Sequence, residues 1–119
     1  MTLDQYISAH LSRPFVWGKN DCVLFAAEWV RLQTGRDYLA ALPAWSSALE
    51  ARRVLRALGG LEAELDRRLT RIRPAEGCDG DIALTGGGAC IFSGARVVGP
   101  ALQGLEFIDR TRVCAAWHY

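Results

Sequence analysis

The sequence predicts an α+β domain, with N-terminal helices packed on a C-terminal antiparallel sheet or small barrel. Three observations lead there. Apolar residues recur at three- and four-residue spacing as far as residue 72. After Pro74 the chain breaks into short β-prone runs, and glycine-rich turns punctuate them. A length of 119 residues suits one domain spanning 1–119, with no internal repeat, linker or low-complexity stretch.

The elements follow in order. Leu3, Ile7 and Leu11 form a short helical stripe that Thr2 can cap and Pro14 stops. Asn20 or Asp21 can cap a second helix from Cys22 to Thr34, and Gly35 is its C-terminal stop. Cys22, Phe25, Ala26 and Trp29 share one face of that helix, so it should pack centrally. Ser47 and Glu50 have capping-box spacing ahead of a third stripe (Ala48, Ala51, Leu55, Leu58), which Gly59-Gly60 breaks. Leu61, Leu65, Leu69 and Ile72 predict a last helix, with Glu64 and Arg68 paired on its outer face. Strands are expected over 81–85, 89–92, 95–98, 105–108 and 113–117. Their turns are Gly86-Gly87-Gly88, Ser93-Gly94, Gly99-Pro100 and Gly104.

Composition excludes several classes. Fourteen basic against thirteen acidic side chains give a net charge of +1, too little for a chain that binds nucleic acid by its overall field. Arg52-Arg53, Arg67-Arg68 and Arg71-x-Arg73 are interleaved with Glu50, Glu62, Glu64 and Asp66, as on a solvated, ion-paired face. The first eleven residues have neither the basic nor the apolar region of a signal peptide. No apolar run approaches the roughly 20 residues that span a bilayer. The expectation is a soluble protein made in the cytoplasm, where Cys22, Cys78, Cys90 and Cys114 are thiols rather than bridges.

The segment richest in chemistry is Phe15 to Cys22. It puts a cysteine in the first turn of a helix, where unpaired amides and the macrodipole favour a thiolate. Gly18 permits tight backbone geometry there, and Trp17 can wall a pocket. A small buried cysteine behind an ordinary Asp21 cap accounts for the same spacing, so two readings stand. Metal chemistry finds little support. Cys78, Cys90 and Cys114 lack paired spacing, Cys90 and Cys114 read as core thiols on strands, and the stretch from Glu76 to Asp81 lacks the ligands of a calcium loop. No metal or cofactor is expected. Tyr38, Leu39 and Trp45, between the second and third helices, are either core or a contact surface for another subunit.

Phe15-x-Trp17-Gly18-x-x-Asp21-Cys22, Gly80-Asp81 opening a strand, Cys90-Ile91-Phe92-Ser93-Gly94 and Ala116-Trp117 together resemble a small phage and prophage branch of the NlpC-type papain-like cysteine peptidases. The resemblance covers nearly the whole chain through short motifs. It implies a papain-like arrangement, with the nucleophile starting a central helix packed on an antiparallel sheet. It makes Cys22 the candidate nucleophile and Trp17, Gly18 and Asp21 its pocket. It also implies a place at a tail tip or baseplate hub, beside other tail proteins.

One departure shapes the functional expectation. The general base of active members is a His near the start of the second strand, and Gly88 stands at about that position. No His lies between residues 11 and 117; His10 is on the first helix and His118, a weak candidate base, ends the last strand. The expected function is therefore a structural or interaction component of a phage, prophage or gene-transfer-agent tail. It would be made in the bacterial cytoplasm and located in the virion tail. The alternative is an active cysteine hydrolase cutting peptidoglycan, with Cys22 as nucleophile and His118 or a partner's group as base. A third reading is an unrelated small binding protein whose cysteines only pack.

Overall fold

The computed structural model describes residues 1–119 except Gly87, the middle of the glycine triplet expected to make a hairpin turn. Four helices come first: α1 (Leu3–His10), α2 (Cys22–Thr34), α3 (Ala48–Ala57) and α4 (Leu61–Arg68). The strands are β1 (Thr70–Ile72), β2 (Ile82–Thr85), β3 (Gly88–Ser93), β4 (Arg96–Ala101), β5 (Gly104–Asp109) and β6 (Ala115–His118). Single 3₁₀ turns occupy Pro74–Glu76 and Arg110–Arg112. Among the described residues the strands form one sheet in the order β1-β6-β2-β3-β4-β5, every pair antiparallel. The protein is α+β.

The caps behave as their side chains dictate. Thr2 accepts from the Gln5 amide, and Gln5 returns the bond to the Thr2 amide. Ser47 accepts from the Glu50 amide, while Glu50 itself reaches back to the Ser46 amide. Gly35 ends α2 in the left-handed region at φ 77°.

α2 lies on the sheet. Phe25, Ala26, Trp29 and Val30 pack with Ile82, Ala89, Ile91, Val98, Ala115 and Trp117 in the main core, and Tyr6 and Ile7 of α1 close it. The opposite sheet face has a smaller core of Ala83, Cys90, Phe92, Val97 and Ala116, joined by Ile72, Ile108 and Val113. Arg110 covers it. Its guanidinium lies 4.8 Å from the Phe92 ring centre and donates to the carbonyls of Gly77 (2.8 Å), Gly94 (3.2 Å) and Pro74 (3.3 Å).

Four expectations are corrected. The last helix stops at Arg68, and Thr70–Ile72 forms an edge strand beside β6 instead of a final helical turn. Two β-branched residues ahead of Pro74 suit an extended backbone, and the exposed edge of β6 supplies its partner. Gly99-Pro100 is not a turn but part of β4. Pairing of β4 with β3 ends at Val98, while pairing with β5 runs on to Ala101, so Pro100 withholds no donor from β3. Cys114 lies outside β6 and is exposed rather than in the core.

Glu64 is also not on an outer face. It is 6% exposed and held by Arg67 (2.8 Å) and Arg68 (3.2 Å). Arg71 bonds Glu62 (2.7 Å) and Asp66 (3.1 Å) and stands 5.5 Å over the Trp117 ring, while Trp117 donates to Asp66 (2.9 Å). These bonds tie α4 to β1 and β6. Burial raises the Glu64 carboxyl, but the bonds from Arg67 and Arg68 outweigh it, and the group rests below its ordinary value of 4.5. A carboxyl lowered in the folded state adds stability above its unfolded value and loses it as pH falls through the folded one. Chemical denaturation from pH 6 down to about 3 should show the native chain weakening. Glu64→Gln should start less stable and decline less steeply.

A candidate site at the start of helix α2

Asp21 organises this region. Its side chain is fully buried and accepts three hydrogen bonds: the Leu24 amide of α2 (2.9 Å), the Gly18 amide (2.9 Å) and the Trp45 indole (2.8 Å). Gly18 sits at φ 79°, and a Cβ there would overlap the Trp45 carbonyl oxygen. Glycine is required on both counts. Trp17-Gly18-x-x-Asp21 is thus a clamp joining the loop before α2, the α2 N-terminus and the segment before α3. Trp45, with Val23 and Ala51, is core rather than a surface for another subunit. Tyr38 and Leu39 also pack against core clusters.

Cys22 is the first residue of α2 and is partly buried. Gly88 lies directly against it: a Cβ at Gly88 would come 2.7 Å from the Cys22 sulfur. The Ala89 amide points a hydrogen bond at the thiol. The space beside the sulfur is small. A cavity of about 30 Å³, lined among others by Thr85, Cys90 and Glu106, is one water's share of liquid volume. Burial pushes the Cys22 thiol up from its ordinary value of 9.0, the nearby Asp21 charge adds to the rise, and the Ala89 bond offsets part of it. Burial therefore outweighs the helix N-terminus here. Cys90 is pushed up to about 11, chiefly by burial.

Neither histidine reaches this cysteine. His118 Nδ1 is 2.5 Å from Asp81 Oδ1, and the other Asp81 oxygen accepts the Cys78 amide. Asp81 precedes β2 at the end opposite Thr85, which pairs with Gly88. At about 3.3 Å per residue, His118 and Cys22 are separated by roughly 13 Å of strand. His118 is therefore not the base for Cys22. His10 is buried; its Nδ1–H donates to the Tyr6 carbonyl (2.8 Å) and its Nε2 accepts from Arg13 (3.2 Å). Burial lowers its pKa.

The other residues behind the resemblance also hold structure. Gly80, at φ 92°, offers its carbonyl to the Trp29 indole (2.8 Å). Asp81 is buried, and Ala116 and Trp117 are fully buried. Trp17 stands edge-on to Phe15 (4.8 Å) and lines an open cavity of about 400 Å³ with Pro100, Ala101 and Leu102, not the cavity at Cys22. Sequence reasoning did not find Trp45 as the third donor to Asp21, nor Asp81 as the partner of His118. Each pairing joins residues far apart in the chain, and no local pattern marks it. Among the described residues no three His, Cys, Asp or Glu side chains are grouped to hold a metal ion. All four cysteines are free thiols, and among the described residues no helix is long and apolar enough to cross a membrane.

The fold and site define an α+β domain with a half-buried cysteine opening its central helix. Over residues 1–119 the chain matches the family described as a domain of unknown function, DUF6950, and it belongs to that family. No curated protein and no solved structure matches it.

Two outcomes are expected. Alkylation at neutral pH, mapped by peptide mass spectrometry, should label exposed Cys78 and Cys114 well before Cys22 and Cys90. Asp21→Ala, which strands a buried indole N–H and two amides, should cost about 3 kcal/mol or more in denaturant unfolding.

Proposed function

We propose that this chain is a structural or interaction module of a phage, prophage or gene-transfer-agent tail tip or baseplate hub, built on a degenerate NlpC-type cysteine-peptidase fold. The observation that carries the reading is the surroundings of Cys22. The position where the resemblance expects an imidazole is Gly88, packed against the sulfur, and both histidines are bound elsewhere. Meanwhile Gly18, Asp21, Gly80, Asp81 and Trp117, which carry the resemblance, hold loops, helix and sheet together. On this reading, the residues that build the scaffold are kept and the general base is missing. A thiol with a raised pKa, no base and space for one water is poorly equipped to attack an amide.

A second reading draws on one feature. Cys22 opens a helix and receives an amide hydrogen bond from Ala89, an arrangement that suits a peptidoglycan hydrolase if a neighbouring subunit supplies the base. The two readings separate in one experiment. A tagged chain expressed with its neighbouring tail genes is followed through particle purification, beside Cys22→Ala. Native and variant chains should both sediment with tail particles, with equal digestion of cell-wall substrate. A native chain that stays monomeric and never enters particles overturns the structural reading. Loss of digestion in Cys22→Ala alone establishes the hydrolase.

A further inference from the structure

The outer side of α2 bears a two-lobed cavity that shares no lining residue with the space at Cys22. Its larger lobe, about 410 Å³, falls within the range of small-molecule sites. The floor is built and rigid: Tyr6, His10 and Phe25 are all buried, and the Tyr6 hydroxyl donates to the Phe25 carbonyl (2.6 Å). The smaller lobe, about 180 Å³, is walled by Leu24, Leu39, Leu42, Pro43, Ala44 and Trp45. Gly18, Leu24 and Leu39 line both, so the lobes adjoin. One end is charged and the other apolar, which selects an amphiphile.

The free charges decide its sign. Glu28 is already held by Arg31 (2.8 Å), and Asp37 accepts the Leu39 amide (2.9 Å). His10 uses both ring nitrogens within the protein, and Arg13 gives His10 only one of its donors. The Lys19 ammonium has no hydrogen bond or ion pair among the described residues, its backbone amide alone being bonded, to the Val16 carbonyl. An ammonium and most of a guanidinium are therefore left to meet a ligand, which calls for an anion. Glu28 and Asp37 on the same wall oppose a second negative charge, so a monoanion is favoured over a phosphate dianion.

We infer that this cavity binds a small monoanionic amphiphile, its carboxylate at Arg13 and Lys19 and its short apolar chain against Leu39, Leu42 and Trp45. The inference concerns a different part of the molecule from the tail-module reading and stands or falls separately. The test is an NMR titration of the ¹⁵N-labelled full chain with octanoate below its micelle-forming concentration. Saturable shifts are expected at the Gly18, Lys19, Leu24 and Leu39 amides and at the Trp45 indole N–H. Lys19→Ala, at an exposed position whose ammonium is unbonded and where folding should be unaffected, should weaken binding about tenfold. Leu42→Asp should abolish it in a chain whose other resonances show it folded. Octyltrimethylammonium should give no saturable shift at these sites. Absent or scattered shifts with octanoate, an equal response to the ammonium amphiphile, indifference to Lys19→Ala, or tighter binding of octyl phosphate would each overturn the assignment.

Discussion

The buried carboxylate of Asp21 is the constraint on which the rest of this structure depends. It takes in one donor from α2, one from the loop before it and one from Trp45, far along the chain. Leaving any of these donors unpaired in the interior would cost about 1–3 kcal/mol, so three segments are locked in one relative position. α2 then starts at a fixed point on the sheet, and Cys22 is carried to the end of β3. The same carboxylate that fixes the cysteine also opposes its ionisation, because its charge lies next to the sulfur. One residue thus supplies geometry that would suit a nucleophile and adds to the restraint that burial places on it.

That coincidence bears on how the resemblance is read. Gly18, Asp21, Gly80 and Asp81 look like an active-site signature when written as a string. In three dimensions they are two aspartate clamps, one at each end of the sheet, each holding a loop to the element that follows it. Asp21 engages an indole from a distant segment; Asp81 engages the imidazole of His118. Such clamps are useful to any protein needing this arrangement, whether or not it performs chemistry.

Much of the fold was legible because local signals agreed. Thr2, Asp21 and Ser47 cap the helices their spacing announces, and Gly35 and Gly59-Gly60 follow helix ends. Two of the misreadings share one physical cause: long-range pairing overrode local pattern. Residues 69–72 continue a helical stripe, yet an open strand edge at β6 draws them into the sheet. Gly99-Pro100 has the chemistry of a turn, yet β5 runs beside it and β3 makes no demand on its missing donor. Glu64 has the spacing of a surface pair, yet two arginines allow its burial. For the site, the spacing put Cys22 at the first position of α2, where the structure has it, with Gly88 against its sulfur. Spacing could not supply Trp45 or Asp81 as partners, since neither bond leaves a periodic trace.

The strand order has a consequence for how the chain comes to be folded. β6, made after every other strand, lies inside the sheet between β1 and β2 rather than at its edge. During synthesis, α2 and the β2–β5 meander can associate while β1 and the α4 segment attached to it still lack a place to dock. Only when residues 115–118 leave the ribosome does a template exist for both neighbours at once, and Trp117 then fills the middle of the main core. The nascent chain must pass its late stages with an unpaired flank on β2 and an unfilled core. The strand acts as a bolt: one short, late segment turns a partly assembled sheet into a continuous six-stranded one.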